Sequence, residues 1–324
     1  MFNFLNPKTM HKQLTLLATM ALALVACNKS QTIVTETPGE ISFKAVTSVA
    51  TKADIIPNNL LPSDAWLIHA SANAGTVEYF KDKTFKAGDA TPTAETDYKN
   101  WSGSAFVPVY WPVGGSKLDF VAYAARDNST NVSPTWGSPA ANTLTLDTWD
   151  TYADQQDIVW AVANGETRAT NTSLKFNHAQ AQIIFKVQCE QSAEIYKVNS
   201  ITINGLKTTG SFTVDNTKVT PEASWTLNAG APKTVKNISA LTAVSTTMAA
   251  IGDALLVPQQ DVCSFTIDYK SGDVDHFTYT VNPERKVWEM GKTYIYELKF
   301  AAQEIVFHES VELWAEQTAE QSTL

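Results

Sequence analysis

The sequence predicts an all-β protein built of packed sheets, on three observations. Short runs alternate apolar and polar residues with a period of two, clusters of turn-forming residues separate them, and helical periodicity is scarce after the amino terminus. In chain order the runs are "ISFKAV" from Ile41, "KLDFVAYA" from Lys117, "AQIIFKVQC" from Ala181, "SITING" from Ser200, "FTIDY" from Phe265 and "TYIYELKF" from Thr293. Each puts every second side chain on one face, which is the pattern of a strand with one side against a core. "PVGGS", "NAGAPK" and "VNPE" supply Gly, Pro and Asn for the turns between them. The clearest helical exception is the stretch from Thr148 to Gln156, which has room for a turn or two.

The amino terminus reads as an export signal. His11 and Lys12 precede an apolar run from Leu14 to Val25, and Asn28, Lys29 and Ser30 end it abruptly. The run is shorter than the roughly 20 residues a spanning helix needs. Leu24, Val25, Ala26 and Cys27 resemble the lipobox of bacterial lipoproteins, in which cleavage before the cysteine is followed by its acylation. Acyl burial contributes about 0.8 kcal/mol per CH₂, so two or more chains on Cys27 would hold the protein at a membrane. Residues 1–26 are thus a signal peptide and residues 27–39 a lipidated linker, with either Met1 or Met10 as the start.

Composition narrows the function. The chain has 24 Lys and Arg against 33 Asp and Glu, and loss of residues 1–26 removes Lys8 and Lys12, leaving 22 against 33. A balance that acidic argues against nucleic acid as a partner, because such binding relies on cations neutralising phosphates. Beyond Cys27 the only cysteines are Cys189 and Cys263, both on the apolar parity of their runs, and export permits a disulfide between them. The polar segment "ANGETRATNTS", Ala163–Ser173, divides the remainder, so the sequence predicts domains over residues 40–168 and 169–324.

Several motifs carry a family resemblance. "VYWP" at Val109–Pro112 followed by "LDFVAYA", then "LKFNHAQAQIIFKV" at Leu174–Val187, "VWEMGKTYIYELKF" at Val287–Phe300 and "QEIVFHESVELW" at Gln303–Trp314 together resemble the Bacteroidetes fimbrillins in order and spacing. The resemblance implies two transthyretin-like, Greek-key β-sandwich domains. It also implies a subunit of cell-surface fimbriae that travels to the outer membrane as a lipoprotein, is trimmed of its leading strand by a surface protease, and polymerises with other fimbrial subunits by accepting a strand from the next one. It implies no cofactor and no catalysis.

Strand exchange would need apolar anchors at the two ends of the chain. Ile41 and Phe43 share one face of the leading run, with Ser42 and Lys44 opposite, and Ile305, Phe307, Val311 and Leu313 share one parity near the carboxyl end, interrupted by Glu309. Four side chains filling a groove at about 1.5–3 kcal/mol each would offset a substantial ordering cost. Trimming after Arg is implied by the resemblance, but the first arginine is Arg126; Lys52, in "VATKAD", is the expected processing point instead.

Other chemistry finds little support. "MGKT" at Met290–Thr293 has Lys286 where a phosphate loop needs its first Gly. His11, His69, His178, His276 and His308 are scattered, and His178 reads as a hydrogen-bonded residue at a strand end. Asp147, Asp150, Asp154 and Asp157 read as turn and helix-start acids, without the Gly-centred loop of a calcium site. The rival function is a surface lipoprotein that binds glycan, for which Trp66, Trp101, Trp136 and Trp149 are the conceivable platforms.

Overall fold

The computed structural model describes residues 39–47, 66–72, 75–88, 97–102, 104–125, 134–137, 143–168, 172–190, 196–217, 220–239, 241–272, 277–301 and 304–314. Cys27 and Lys52 lie outside the described residues. The first half contributes β1 (Phe43–Thr47), β2 (Trp66–Ala72), β3 (Val77–Ala87), β4 (Tyr98–Ser102), β5 (Ala105–Phe106), β6 (Leu118–Ala125), β7 (Pro134–Trp136), β8 (Thr143–Asp150), the short helix α1 (Thr151–Asp154) and β9 (Ile158–Glu166). The second half contributes β10 (Thr172–His178), β11 (Ala181–Cys189), β12 (Tyr196–Leu206), β13 (Thr209–Asp215), β14 (Glu222–Leu227), β15 (Ala231–Thr234), β16 (Thr242–Ala243), β17 (Ala249–Ala250), β18 (Leu255–Val257), β19 (Gln260–Asp261), β20 (Phe265–Ser271), β21 (Phe277–Val281), β22 (Val287–Trp288), β23 (Lys292–Phe300) and β24 (Ile305–Leu313). The all-β expectation holds, and α1 falls inside the stretch expected to be helical. Asp150 caps α1 by accepting hydrogen bonds from the Tyr152 and Ala153 amides at 3.0 and 3.4 Å.

The largest sheet runs β1-β10-β9-β6-β2-β3-β4-β5, and β1 also bridges to β4 through Phe43 and Tyr98. That bridge closes the sheet upon itself, with β1 as the strand between β10 and β4. Inside lie Ile41, Phe43, Trp66, Phe85, Phe120 and Phe176 among others. A second core fills the space between the sheet of β11, β23 and β24 and the sheet of β12, β20 and β21. Here Phe185, Phe265 and Tyr296 pack ring against ring, with centroids 5.0–5.6 Å apart. β11 shows the predicted pattern without a fault, alternating buried and half-buried from Ala181 to Cys189.

A third core joins the two halves. The sheet β14-β13-β8-β7 takes two strands from each side of residues 163–173, and its Leu144, Leu146, Phe212 and Val214 cover Val121 and Tyr123 on the outer face of β6. Because β6 is covered on both faces, Leu118 through Ala124 are all buried. That is why its sequence approaches a continuous apolar run. The one acid in it, Asp119, accepts the Gly165 amide at 2.7 Å.

His69 belongs to this outer face. It is fully buried, its ring stacks on Trp136 with centroids 5.1 Å apart, and neither ring nitrogen has a hydrogen-bond partner among the described residues. Burial holds its pKa below the ordinary 6.5, against the opposing pull of Glu78 and Asp82. The unfolded chain therefore binds a proton that the folded chain refuses, so this contribution to stability is full above pH 6.5 and is lost as pH falls below it. Denaturation of the wild type and His69→Phe between pH 5 and about 7.5 should show the wild type losing stability with acid along a steeper slope than the variant. Equal slopes would mean that His69 titrates alike in both states.

Candidate functional site

The residues expected to anchor strand exchange occupy two places. At the first, the leading segment sits in a slot made by three parts of the chain. Glu40 bridges antiparallel to Tyr110, the Ile41 amide donates to the Val109 carbonyl at 2.7 Å, and the Trp111 amide donates to the Gly39 carbonyl at 2.8 Å. Beyond them the Thr172 amide donates to the Ser42 carbonyl at 3.0 Å, and β1 continues parallel to β10 from Phe43 opposite Thr172 to Thr47 opposite Phe176. Backbone hydrogen bonding thus runs along the whole segment.

Its side chains are as well placed as its backbone. Ile41 and Phe43 are fully buried, and the Phe43 ring meets Phe85 and Phe120 edge-on, at 4.8 and 5.0 Å. Each apolar side chain so buried contributes about 1.5–3 kcal/mol. Ser42 is buried as well, so the opposite face of the segment is covered at that point although alternation alone assigns it to solvent. Without this segment, β10 would become a free edge, and Tyr98 of β4 and the Val109–Trp111 backbone would lose their partners beside an uncovered aromatic floor.

The second place is β24. It pairs antiparallel with β23 over nine residues, from Ile305 opposite Phe300 to Leu313 opposite Lys292, and forms the end of its sheet. Ile305 is buried; Phe307 packs on Tyr296 and Phe265 with centroids 5.8 and 5.7 Å away, and Val311 rests on the same core. Leu313 shares their parity but is 59% exposed, since it lies opposite the first residue of β23, where the core ends. Glu309 interrupts the apolar face and pairs with Arg285 at 3.6 Å.

The structure leaves the possible disulfide unformed: Cys189 and Cys263 are not bonded to each other. Phe185 packs on Phe265, and Cys189 lies four residues along β11 toward Phe300, which packs on Tyr269 at the far end of β20. Cys263 precedes Phe265 and so lies on the other side of that contact. At about 3.3 Å per residue the two are separated by far more than the roughly 7 Å a bridge tolerates. The Cys189 thiol donates to the Val244 carbonyl at 3.1 Å, and burial pushes the Cys263 thiol pKa up.

Two of the four tryptophans expected as glycan platforms are enclosed in the fold. Trp66 and Trp136 are buried, and Trp101 is half-buried with its indole N–H on the Lys86 carbonyl at 3.3 Å; the Trp149 side chain lies outside the described residues. His178 does close β10 as a hydrogen-bonded strand-end residue, with Nδ1 2.8 Å from Asp157. The slot's far wall, Val109–Trp111, escaped the residue-by-residue reading because it forms no extended strand of its own; only the "VYWP" resemblance marked it.

The family model for fimbrillin-like proteins matches residues 62–314. The chain belongs to the fimbrillin-like family. Solved structures share its fold: a candidate cell adhesion protein from Bacteroides uniformis superposes with a TM-score of 0.58 at 15% identity, over 86% of this chain and 98% of that one. A fimbrial protein from Bacteroides vulgatus gives 0.55 at 15% identity, over 85% and 99%. At such identities the likeness is one of fold. No curated protein matches the sequence. Within this fimbrillin-like fold, the leading segment is buried and β24 forms the end of its sheet.

Proposed function

We propose that this fimbrillin-like protein is a structural or accessory subunit of cell-surface fimbriae, exported as a lipoprotein on Cys27 and joined to its neighbours by strand exchange. One observation carries the reading: the leading segment is the strand that closes the largest sheet. A strand in that position can be replaced by another of the same alternation, with backbone hydrogen bonds supplying affinity and buried side chains supplying fit. Cleavage after Lys52 would detach it from the rest of the chain and leave the slot for a strand from a second subunit. The apolar parity of β24, with Ile305, Phe307 and Val311, is the donor pattern available in this chain. On this reading the protein works by assembly and surface attachment, needs no cofactor, and has neighbouring subunits and the outer membrane as its partners.

Electron microscopy of cells expressing a tagged copy tests the role: label along or at the ends of surface filaments is expected, and label confined to the bare cell surface contradicts it. Export is tested separately. Cys27→Ala should abolish acyl labelling and shift the protein out of the membrane fraction, whereas unchanged labelling and partitioning would remove Cys27 from the account.

A further inference from the structure

The tetrapeptide Glu-Ile-x-Phe occurs twice in the chain, as Glu40-Ile41-Ser42-Phe43 in the leading segment and as Glu304-Ile305-Val306-Phe307 at the start of β24. Ile-x-Phe recurs at Ile183 and Phe185, but Gln182 precedes it, and β11 is held on both sides, by β23 and by β17 and β18. Among the described residues β24 pairs only with β23, at the end of its sheet. Of the two segments with the full motif, one thus fills the slot and the other is an end strand.

The slot encloses the motif more completely than the sheet of β24 does. Phe43 is fully buried between Phe85 and Phe120, at 4.8 and 5.0 Å, whereas Phe307 is half-buried, with Phe265 and Tyr296 at 5.7 and 5.8 Å. Val306 is 45% exposed where it stands, and the matching Ser42 is 6% exposed. Glu40 pairs with Lys99 at 3.8 Å, while Glu304 is exposed. Removal of apolar surface from water favours the transfer of Val306 and Phe307. Release from β23 gives up nine paired residues, so the exchange is favoured only where a slot without its leading segment returns backbone partners. The likeness ends at Phe307, because Glu309 stands where the leading segment has Ala45. The shared anchor is four residues long.

We propose that the slot is specific for Glu-Ile-x-Phe and takes residues 304–307 of a second copy, with Ile305 and Phe307 in the places of Ile41 and Phe43 and Glu304 beside Lys99. This rests on the strand-exchange reading and narrows it: the donor is this same chain, and its register is fixed. Copies of the protein can then join without a different donor subunit.

The test uses the full chain nicked around Lys52 with both pieces retained, and two labelled peptides, residues 39–46 and residues 303–310. Both peptides should enter the slot, with release of the leading piece seen by mass spectrometry. Phe307→Ala in the second peptide should weaken its entry by about a hundredfold or more. Lys99→Glu in the protein should weaken it by about threefold, and Glu304→Lys in the peptide should restore it. Ser42→Val, which writes the β24 tetrapeptide into the leading segment, should leave the intact chain folded. Two differently tagged nicked copies should co-purify. Entry of the first peptide without the second would overturn this proposal and leave strand exchange standing, whereas entry of neither would overturn both. A Ser42→Val chain that does not fold would exclude Val306 from the slot, and peptide entry without co-purification would exclude a second copy as donor; either result overturns the proposal.

Discussion

Phe43→Ala is expected to destabilise the untrimmed protein by about 3–5 kcal/mol, as large-to-small changes at fully buried aromatic positions do. The ring sits between Phe85 and Phe120 with no exposure, so its loss leaves a void bounded by two aromatics that other parts of the chain hold in place. Lys44→Ala, one residue along on a half-buried position, should change stability by no more than about 0.5 kcal/mol. Chemical denaturation of the two variants beside the wild type measures the difference. Similar midpoints for Phe43→Ala and the wild type would mean that the leading strand is not an energetic part of the fold. Its replacement by another strand would then gain nothing.

Trp66→Ala should cost a comparable 3–5 kcal/mol. Trp66 is fully buried, stacks on Tyr98 with centroids 3.7 Å apart, and meets Phe176 at 4.8 Å. Its indole N–H has no hydrogen-bond partner among the described residues, so Trp66→Phe gives up contact area without orphaning an acceptor there and should cost clearly less than the alanine change. Thermal or denaturant unfolding of both variants checks the order. A stable, fully folded Trp66→Ala protein would return Trp66 to the surface role that its residue type first suggested.

Trp66 also shows where sequence reading stops. A tryptophan in a β-sandwich serves a core or a binding face equally well, and spacing does not separate the two uses; only the neighbours do, and Tyr98 and Phe176 are 32 and 110 residues away. β11 was legible because one face meets a core and the other does not, which writes the period of two directly into its residues. β6 was half legible: both faces are covered, so Val121 and Tyr123 on the outer side look like noise in the alternation when they are a second interface. Pairing was not legible at all. That β1 lies parallel to β10, or that β8 joins β13, depends on contacts between distant segments, which leave no periodic trace.

The candidate sites follow the same division. Ile41, Phe43, Ile305, Phe307 and Val311 could be named from parity, because burial of alternate residues is a local property. Leu313 shares that parity yet faces solvent, since the length of the core is set by β23 and not by β24.

The most direct measurement compares the purified protein before and after cleavage in the segment around Lys52, by SDS-resistant laddering and by mass spectrometry of the assembled material. The account predicts that the uncut protein stays monomeric, that the cut protein forms ladders, and that peptides containing Ile41 and Phe43 are missing from the ladders. Ladders that retain those peptides in full, or cut protein that remains monomeric with its leading strand gone, would contradict it.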